Sequence, residues 1–199
     1  MRELPYMLNP KHTSELVGMV LSEMQKSLPG NGWDSPQARD IISLIFAQES
    51  KWRELYQVVK GGKPGTAYGV GQIEPSTVQS LLTRTAHKRY ADYRQQIRAT
   101  IERICNCDLT MIDDEGEEPC LKMQLMSNIA LNIALARVKL RNIPKPFPRR
   151  HEYYTQDQYI IGLGEFWNDY YNTNDEHGTP REFLDSARYW IRKGGRLND

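Results

Sequence analysis

Apolar residues recur at helical spacing along most of the chain, and their pattern predicts a succession of helices. The first begins at Thr13-Ser14-Glu15, where hydroxyl residues suit the N-cap, and stops near Pro29-Gly30. A second begins at Asp34-Ser35-Pro36, because proline is favoured at the first helical position. Its apolar residues form a broad stripe from Ile41 to Phe46, which predicts a central, buried helix.

The same spacing predicts further helices and little β structure. Helices are predicted over residues 75–87, 90–104, 121–141, 159–171 and 180–190. The one credible β region is a short strand at Val58-Val59, with residues 70–73 as its partner beyond a glycine-rich loop. The acidic residues 113–119 lack the register of a calcium loop, and we interpret them as a solvated connector.

The length of the chain, 199 residues, suits one full-sized domain with a single core. Hydrophobic residues make up 39% and charged residues 26%, as is typical of an ordered globular protein. No internal repeat, low-complexity tract or convincing domain boundary interrupts the pattern. The prediction is therefore a mainly α fold, in which residues 1–199 form a single compact domain with at most a small β-hairpin.

The charge balance argues against two classes of partner. A formal net charge of +1 gives little electrostatic attraction for duplex nucleic acid. The basic residues Lys88, Arg89, Arg94 and Arg98 alternate with acids and glutamines, which is typical of a solvated helix face. No stretch approaches the roughly 20 apolar residues that span a bilayer, so no membrane span is expected.

The amino terminus and the cysteines bear on where the protein works. Residues 1–10 contain two prolines and no apolar core, so we do not expect a secretory signal. Cys105, Cys107 and Cys120 are odd in number and closely spaced, which suits neither a disulfide framework nor a zinc site. Reduced thiols are the favoured interpretation, and a local disulfide is the alternative.

The first candidate for chemistry is Glu49, at the carboxyl end of the second predicted helix. It follows the apolar run from Ile41 to Ala47, and Trp52 lies one turn further on. A carboxyl group donates a proton at neutral pH only when its pKa is raised, usually by apolar surroundings. This position suits a general acid, although a solvated helix end is the commoner setting for a glutamate considered alone.

The second candidate is the glycine-bracketed segment Gly69-Val70-Gly71-Gln72. Glycines permit tight turns and leave backbone exposed. Gln72 offers amide donors and an acceptor, which match the N-acetyl and hydroxyl groups of a sugar. Considered alone, the segment is equally compatible with a polar loop before the helix that begins at Pro75.

Together these segments resemble lytic transglycosylases of the goose-type lysozyme superfamily. The family carries a Glu-Ser dipeptide and a Gly-Leu-Met-Gln-Ile-x-Pro-x-Thr segment, which are matched by Gln48-Glu49-Ser50 and Gly69–Thr77. Asn132–Leu140 is similar to the family's Asn-Ile-x-x-Gly-x-x-Tyr-Leu helix, and Tyr170–Thr173 to its Ala-Tyr-Asn-Ala-Gly segment. The resemblance spans residues 36–175, with helical extensions on both sides.

The chain also departs from the family pattern. Gly71 stands where the family usually has Met, Lys139 where it has Tyr, and Thr173-Asn174 where it has Ala-Gly. The interval from Glu49 to Gln72 covers 23 positions (72 − 49 = 23), which is longer than usual, so the loop 53–66 is enlarged. These departures bear on the shape of the sugar subsites more than on the identity of the acid.

The resemblance implies a lysozyme-like α+β fold and a function. The implied substrate is the glycan strand of bacterial peptidoglycan, and Glu49 would act first as acid and then as base, forming 1,6-anhydro-muramic acid without a metal or an organic cofactor. The role of Tyr171 would be to place its hydroxyl near the acid or the sugar. The implied substrate-binding residues are Tyr68, Gly71, Gln72, Ile73, Tyr171 and Asn172.

Two alternatives stay open. A hydrolytic goose-type lysozyme would need an aspartate or a held water, and the candidates Asp92, Asp108 and Asp113 have no motif context. A lysozyme-like domain could instead serve as a non-enzymatic structural component. The expected setting is a bacteriophage, where the protein would be an endolysin or a virion-associated wall-opening enzyme, in contact with other virion or tail proteins and reaching the periplasm or cell wall during infection.

Overall fold

The computed structural model describes residues 8–52, 56–58, 64–84, 93–109, 118–172 and 178–198. Within these residues the chain is mainly helical, as predicted. Several predicted features lie outside the described residues: Val59, loop residues 53–55 and 59–63, Lys88, Arg89, Asp92, the acidic residues 113–117 and Thr173-Asn174.

The described part of the chain contains eight α-helices. They are α1 Pro10–Ser27, α2 Pro36–Glu49, α3 Pro75–Gln79, α4 Arg94–Cys105, α5 Glu118–Ser127, α6 Ile129–Arg141, α7 Gln156–Phe166 and α8 Pro180–Arg192. Helix α8 packs against α2 and α7, and α6 packs against α1. Among the described helices, none combines the length and the apolar character that crossing a bilayer requires.

The starts of the first two helices follow the capping chemistry of their residues. Helix α2 begins as predicted, because Ser35 accepts a hydrogen bond from the Ala38 N–H at 3.1 Å and proline follows it. The predicted start of α1 at residues 13–15 was wrong. Asn9 is the N-cap, and its side chain accepts from the Lys11 N–H at 3.0 Å. Thr13 lies inside the first turn and donates to the Pro10 carbonyl.

A two-stranded antiparallel hairpin is the β structure of the described part. Strand β1, Tyr56–Val58, pairs with β2, Pro64–Tyr68, so that Tyr56 lies opposite Tyr68. The predicted pairing of this strand with residues 70–73 was wrong. The chain turns immediately after β2, because Gly69 adopts a positive φ of 72° that a regular strand does not contain.

The predicted continuous helix over 121–141 is two helices, separated at Asn128. The Asn128 side chain accepts from the Leu131 N–H at 3.0 Å and donates to the Cys105 carbonyl at 2.7 Å. It therefore caps α6 and ties it to the end of α4. Asparagine competes in this way with helical hydrogen bonding, which explains why apolar spacing alone did not locate the break.

Two predicted helices end in π-helical segments. Ser80–Arg84 continues α3, and Trp167–Tyr171 continues α7. In the second segment the Asn172 N–H donates to the Trp167 carbonyl five residues earlier, at 2.8 Å. Such wider turns occur often at functional sites, and this one carries Trp167 and Tyr171.

Helix α2 lies at the centre of the hydrophobic core, as its apolar stripe predicted. Every residue from Ile41 to Ala47 is buried, and all four tryptophans of the chain are at most 2% exposed. The loop before α2 is held by α6, since the Arg137 guanidinium donates to the carbonyls of Gly32 and Trp33. The position of α2 is thus fixed by packing and by backbone contacts.

One buried carboxylate of α2 joins three parts of the chain. Asp40 accepts hydrogen bonds from the Tyr159 hydroxyl at 3.0 Å and from the Asn198 N–H and side-chain amide at 2.7 and 2.9 Å. Burial raises the pKa of Tyr159, and the charge of Asp40 raises it further. Asp40 therefore connects α2 with α7 and with the segment after α8.

We predict that Asp40→Ala lowers the free energy of unfolding by about 2–4 kcal/mol, because buried donors lose a charged acceptor. Urea denaturation measures this loss. Asp185→Ala, at an exposed position of α8, is the control and should change stability by less than about 0.5 kcal/mol. Equal losses in the two variants would contradict the bridging role of Asp40.

Candidate active site

Glu49 is the last residue of α2, as predicted, and it lies where the buried helix reaches the surface. Residues 41–47 are buried, whereas Gln48 and Glu49 are half-buried. Glu49 Oε1 accepts a hydrogen bond from Trp167 Nε1 at 3.0 Å. The carboxyl group is thus held in place by an indole and still retains access to solvent.

Trp167 and Tyr171 approach Glu49 from the π-helical segment. Trp167 is 1% exposed and packs on Phe183, with ring centroids 5.4 Å apart. Tyr171 is 4% exposed, and burial together with the nearby charge of Glu49 raises its pKa. Its phenol therefore stays protonated near neutral pH and can act as a donor. Sequence reasoning found Tyr171 and missed Trp167, which stands four positions earlier.

The glycine-bracketed segment forms a tight turn after β2. Tyr68 and Ile73 are joined by two backbone hydrogen bonds of 3.0 and 2.9 Å, and the Gln72 N–H donates to the Gly69 carbonyl at 3.0 Å. The four residues between Tyr68 and Ile73 therefore form the tip of a small loop. We call these four, Gly69 to Gln72, the glycine turn.

Both glycines are required by close neighbours. A Cβ atom at Gly69 would lie 2.2 Å from the Leu125 carbonyl oxygen and 2.4 Å from Asn132 Oδ1. At Gly71 it would lie 3.0 Å from the Phe46 ring. The departure from the family's Met at this position thus has a packing reason, since the Phe46 ring occupies the space of a side chain.

Asn132 holds the glycine turn against α5 and α6. Its Oδ1 accepts from the Gly71 N–H at 3.0 Å, and its Nδ2 donates to the carbonyls of Leu125 and Asn128 at 2.7 and 2.9 Å. Asn132 is 0% exposed, so these bonds compensate its burial. The sequence placed Asn132 in a motif but gave no reason to separate it from an ordinary core position.

The residues flanking Glu49 are anchored on both sides. Ser50 is buried, and its hydroxyl donates to the Val70 carbonyl at 2.7 Å, which joins the end of α2 to the glycine turn. Lys51 Nζ donates to Ser186 Oγ, which donates to Gln48 Oε1, each at 2.6 Å. In the sequence, Glu49 is therefore flanked by Ser50, which is bonded to the glycine turn, and by Gln48, which is bonded to Ser186 of α8.

The remaining predicted site residues take different settings. Gln72 is half-buried with φ 46°, and one of its amide hydrogens is donated to the Gly69 carbonyl at 2.8 Å. Ile73 is 4% exposed and belongs to the core. Asn172 is half-buried after the π-helical segment. Tyr68 is half-buried, and Lys122 Nζ lies 5.6 Å from its ring centroid.

Two further charged groups belong to this region. Lys139, on α6, places Nζ 3.9 Å from the ring centroid of Tyr171. Burial lowers the pKa of Lys139, while the charges of Glu49 and Glu74 act in the opposite direction. Glu74 is itself bound by Thr66 Oγ1 at 2.7 Å and by Ser76 Oγ at 3.4 Å. Lys139 thus lies over Tyr171 and within the electrostatic influence of two carboxylates.

Metal-ligating side chains do not cluster in the described part of the chain: no group of three histidines, cysteines or acids is close enough to hold an ion. Asp108, a candidate second carboxylate, is exposed and follows α4, and Cys105, Cys107 and Cys120 are reduced thiols.

Comparison with known proteins adds no relative. No family model, curated protein or solved structure matches the chain. The membership in the lytic transglycosylase superfamily that the motifs imply therefore stays a prediction.

We predict that Gly69→Ala destabilises the protein by at least about 2 kcal/mol, because it combines a positive φ with a severe contact. Gly194→Ala is the matched control: its φ is 102°, but the nearest atom to an added Cβ is 4.0 Å away. Thermal unfolding of both variants separates backbone strain from the clash. A loss at position 69 no larger than that at 194 would contradict the tight seating of the glycine turn.

Proposed function

We propose that this protein is a peptidoglycan lytic transglycosylase that cleaves the β-1,4 bond between N-acetylmuramic acid and N-acetylglucosamine. The observation that carries the proposal is the setting of Glu49. A half-buried carboxyl ends an apolar helix, accepts a hydrogen bond from Trp167, and lies next to a residue bonded to the glycine turn. The order of the matching motifs along the chain supports the same function.

In the first step, Glu49 donates its proton to the glycosidic oxygen, and the bond from that oxygen to C1 of muramic acid breaks. The oxygen of the substrate's own N-acetyl group shares the positive charge that develops at C1. This sequence needs one protein carboxyl rather than the usual pair. Glu49 must carry its proton at the start of this step, since only a neutral carboxyl can act as the donor.

In the second step, the ionised Glu49 removes the proton of the 6-hydroxyl group, and O6 bonds to C1. The product is a 1,6-anhydro ring, no water is consumed, and Glu49 is again protonated. Tyr171 keeps its phenol proton, because burial and the charge of Glu49 raise its pKa, and it can donate a hydrogen bond during the cycle. We assign sugar contacts to Tyr68, Gly71, Gln72, Tyr171 and Asn172, whereas Ile73, which the motif also implies, packs in the core.

The biological setting that fits this chemistry is phage infection. A protein that opens the bacterial wall would act as an endolysin or as part of a virion, and it would reach its substrate in the periplasm or at the wall. A lysozyme-like, mainly helical fold with a β-hairpin beside the acid is the form that the motifs imply for such an enzyme.

Digestion of purified peptidoglycan tests the reaction directly. The wild-type protein should release fragments with anhydro-muramic ends, and Glu49→Gln should lower turnover about 10²–10⁴-fold, because the amide cannot cycle a proton. Mass analysis of the fragment ends measures both. Glu165→Gln, an exposed position on α7, is the matched control and should retain wild-type turnover.

The other outcomes of this digestion assign the alternatives. Reducing ends that depend on Glu49 would transfer the protein to the hydrolytic lysozymes. Failure of both the wild-type and Glu165→Gln proteins to release fragments would favour a non-enzymatic, lysozyme-like structural component.

We also predict that Trp167→Phe lowers turnover about tenfold or more, because Glu49 loses the donor that fixes its carboxyl group. Phenylalanine preserves an aromatic ring for packing. The matched control is Trp190→Phe, which removes another buried indole donor, bonded to Thr13 Oγ1 at 3.2 Å. The two variants should lose similar stability in thermal unfolding, whereas kcat should fall mainly at position 167; equal kcat values would refute the role of Trp167.

A further inference from the structure

Helix α6 presents two side chains to the region around Glu49. Asn132 holds the glycine turn, and Lys139 follows it seven residues later, which is two helical turns and therefore the same face. The Lys139 ammonium lies over the ring of Tyr171, with Nζ 3.9 Å from the centroid. A cation at this distance is attracted by the aromatic face. The lysine is thus positioned by the fold.

The ammonium is held near opposite charges without pairing with them. Lys139 is half-buried, and burial lowers its pKa. Glu49 and Glu74 exert an electrostatic attraction on it, but none of the ion pairs in the described part of the chain includes Lys139. A half-buried ammonium that lies over an aromatic face, outside the ion pairs of the described residues, can offer hydrogen-bond donors to a further partner.

In the proposed reaction, one of the two negative charges that act on Lys139 is lost. Before the first step Glu49 carries the proton that it donates, so its carboxyl group is neutral. The remaining carboxylate, Glu74, is already bound by two hydroxyl groups, those of Thr66 and Ser76. An anionic group of the substrate would then meet a positive charge beside the reacting bond.

We propose that Lys139 is a specificity-determining residue that binds a carboxylate of the muramyl unit. This inference rests on the proposed function for the identity of the substrate. Muramic acid differs from N-acetylglucosamine by a lactyl group that ends in a carboxyl. On a bare glycan that carboxylate is free, and on a substituted glycan it is an amide while the stem peptide carries carboxylates. Both sources offer the same chemistry to Lys139.

The test measures binding separately from cleavage. Glycan tetrasaccharides are prepared in four forms: with a free lactyl carboxylate, with that group as a methylamide, and with stem peptides whose carboxylates are free or amidated. Affinities are measured by titration calorimetry for Glu49→Gln protein that carries Lys139, Lys139→Met or Lys139→Arg. Glu49→Gln prevents turnover and reproduces the uncharged state of the acid.

With Lys139 present, the free carboxylate form should bind about tenfold more tightly than its neutral counterpart, as expected for one charge-assisted contact. Lys139→Met should abolish this ratio and Lys139→Arg should retain most of it. A preference within the bare pair identifies the lactyl group, and a preference within the peptide pair identifies the stem. The ratio should also fall as salt is added.

Equal affinity for charged and neutral forms, or a preference that survives Lys139→Met, would overturn the inference. So would a loss of affinity that is equal for both forms, since that result indicates a structural role. If Lys139→Met does not fold, the salt dependence and the Lys139→Arg ratio decide. Selective binding without any cleavage by the wild-type protein would refute the proposed reaction and leave the carboxylate site standing.

Discussion

The hydrogen bond from the Ser50 hydroxyl to the Val70 carbonyl is the contact on which the site depends. A helix end leaves carbonyl groups without partners and frees the chain to leave in many directions. Here the residue after Glu49 is buried and bonded to the glycine turn, so the direction of the chain is fixed at the acid itself. Together with the packing of the Phe46 ring against Gly71, that bond defines where Glu49 lies relative to the turn.

The same constraint accounts for the small residues opposite Glu49. Because the turn lies directly against the Leu125 carbonyl and the Phe46 ring, position 69 has no space for a side chain and position 71 has space only if the ring shifts. Asn132 then satisfies the buried Gly71 N–H that this approach creates. Gly69, Val70 and Gly71 are therefore all buried, and Gln72 is the half-buried residue of the turn.

Local signals predicted much of this arrangement, and long-range contacts explain what they missed. The capping of α2 and its apolar stripe were sufficient to place Glu49 at a helix end. Asn128 interrupts a continuous apolar pattern, because its amide bonds to the distant Cys105 carbonyl, which no local pattern contains. Trp167 was missed for the same reason: its partner is 118 positions away in the sequence. The family membership and the reaction stay predictions, and the mainly helical fold is confirmed.

The π-helical segment that carries Trp167 and Tyr171 has a consequence for how such a site changes in evolution. Its wide turn holds one residue more than an α-helical turn of the same height, so removing a single codon there would restore ordinary winding. Everything beyond the deletion would rotate by about 100° about the helix axis, and the phenol would swing away from the carboxyl group. Gain or loss of one residue in this segment would therefore assemble or dismantle the pair without substituting either aromatic ring.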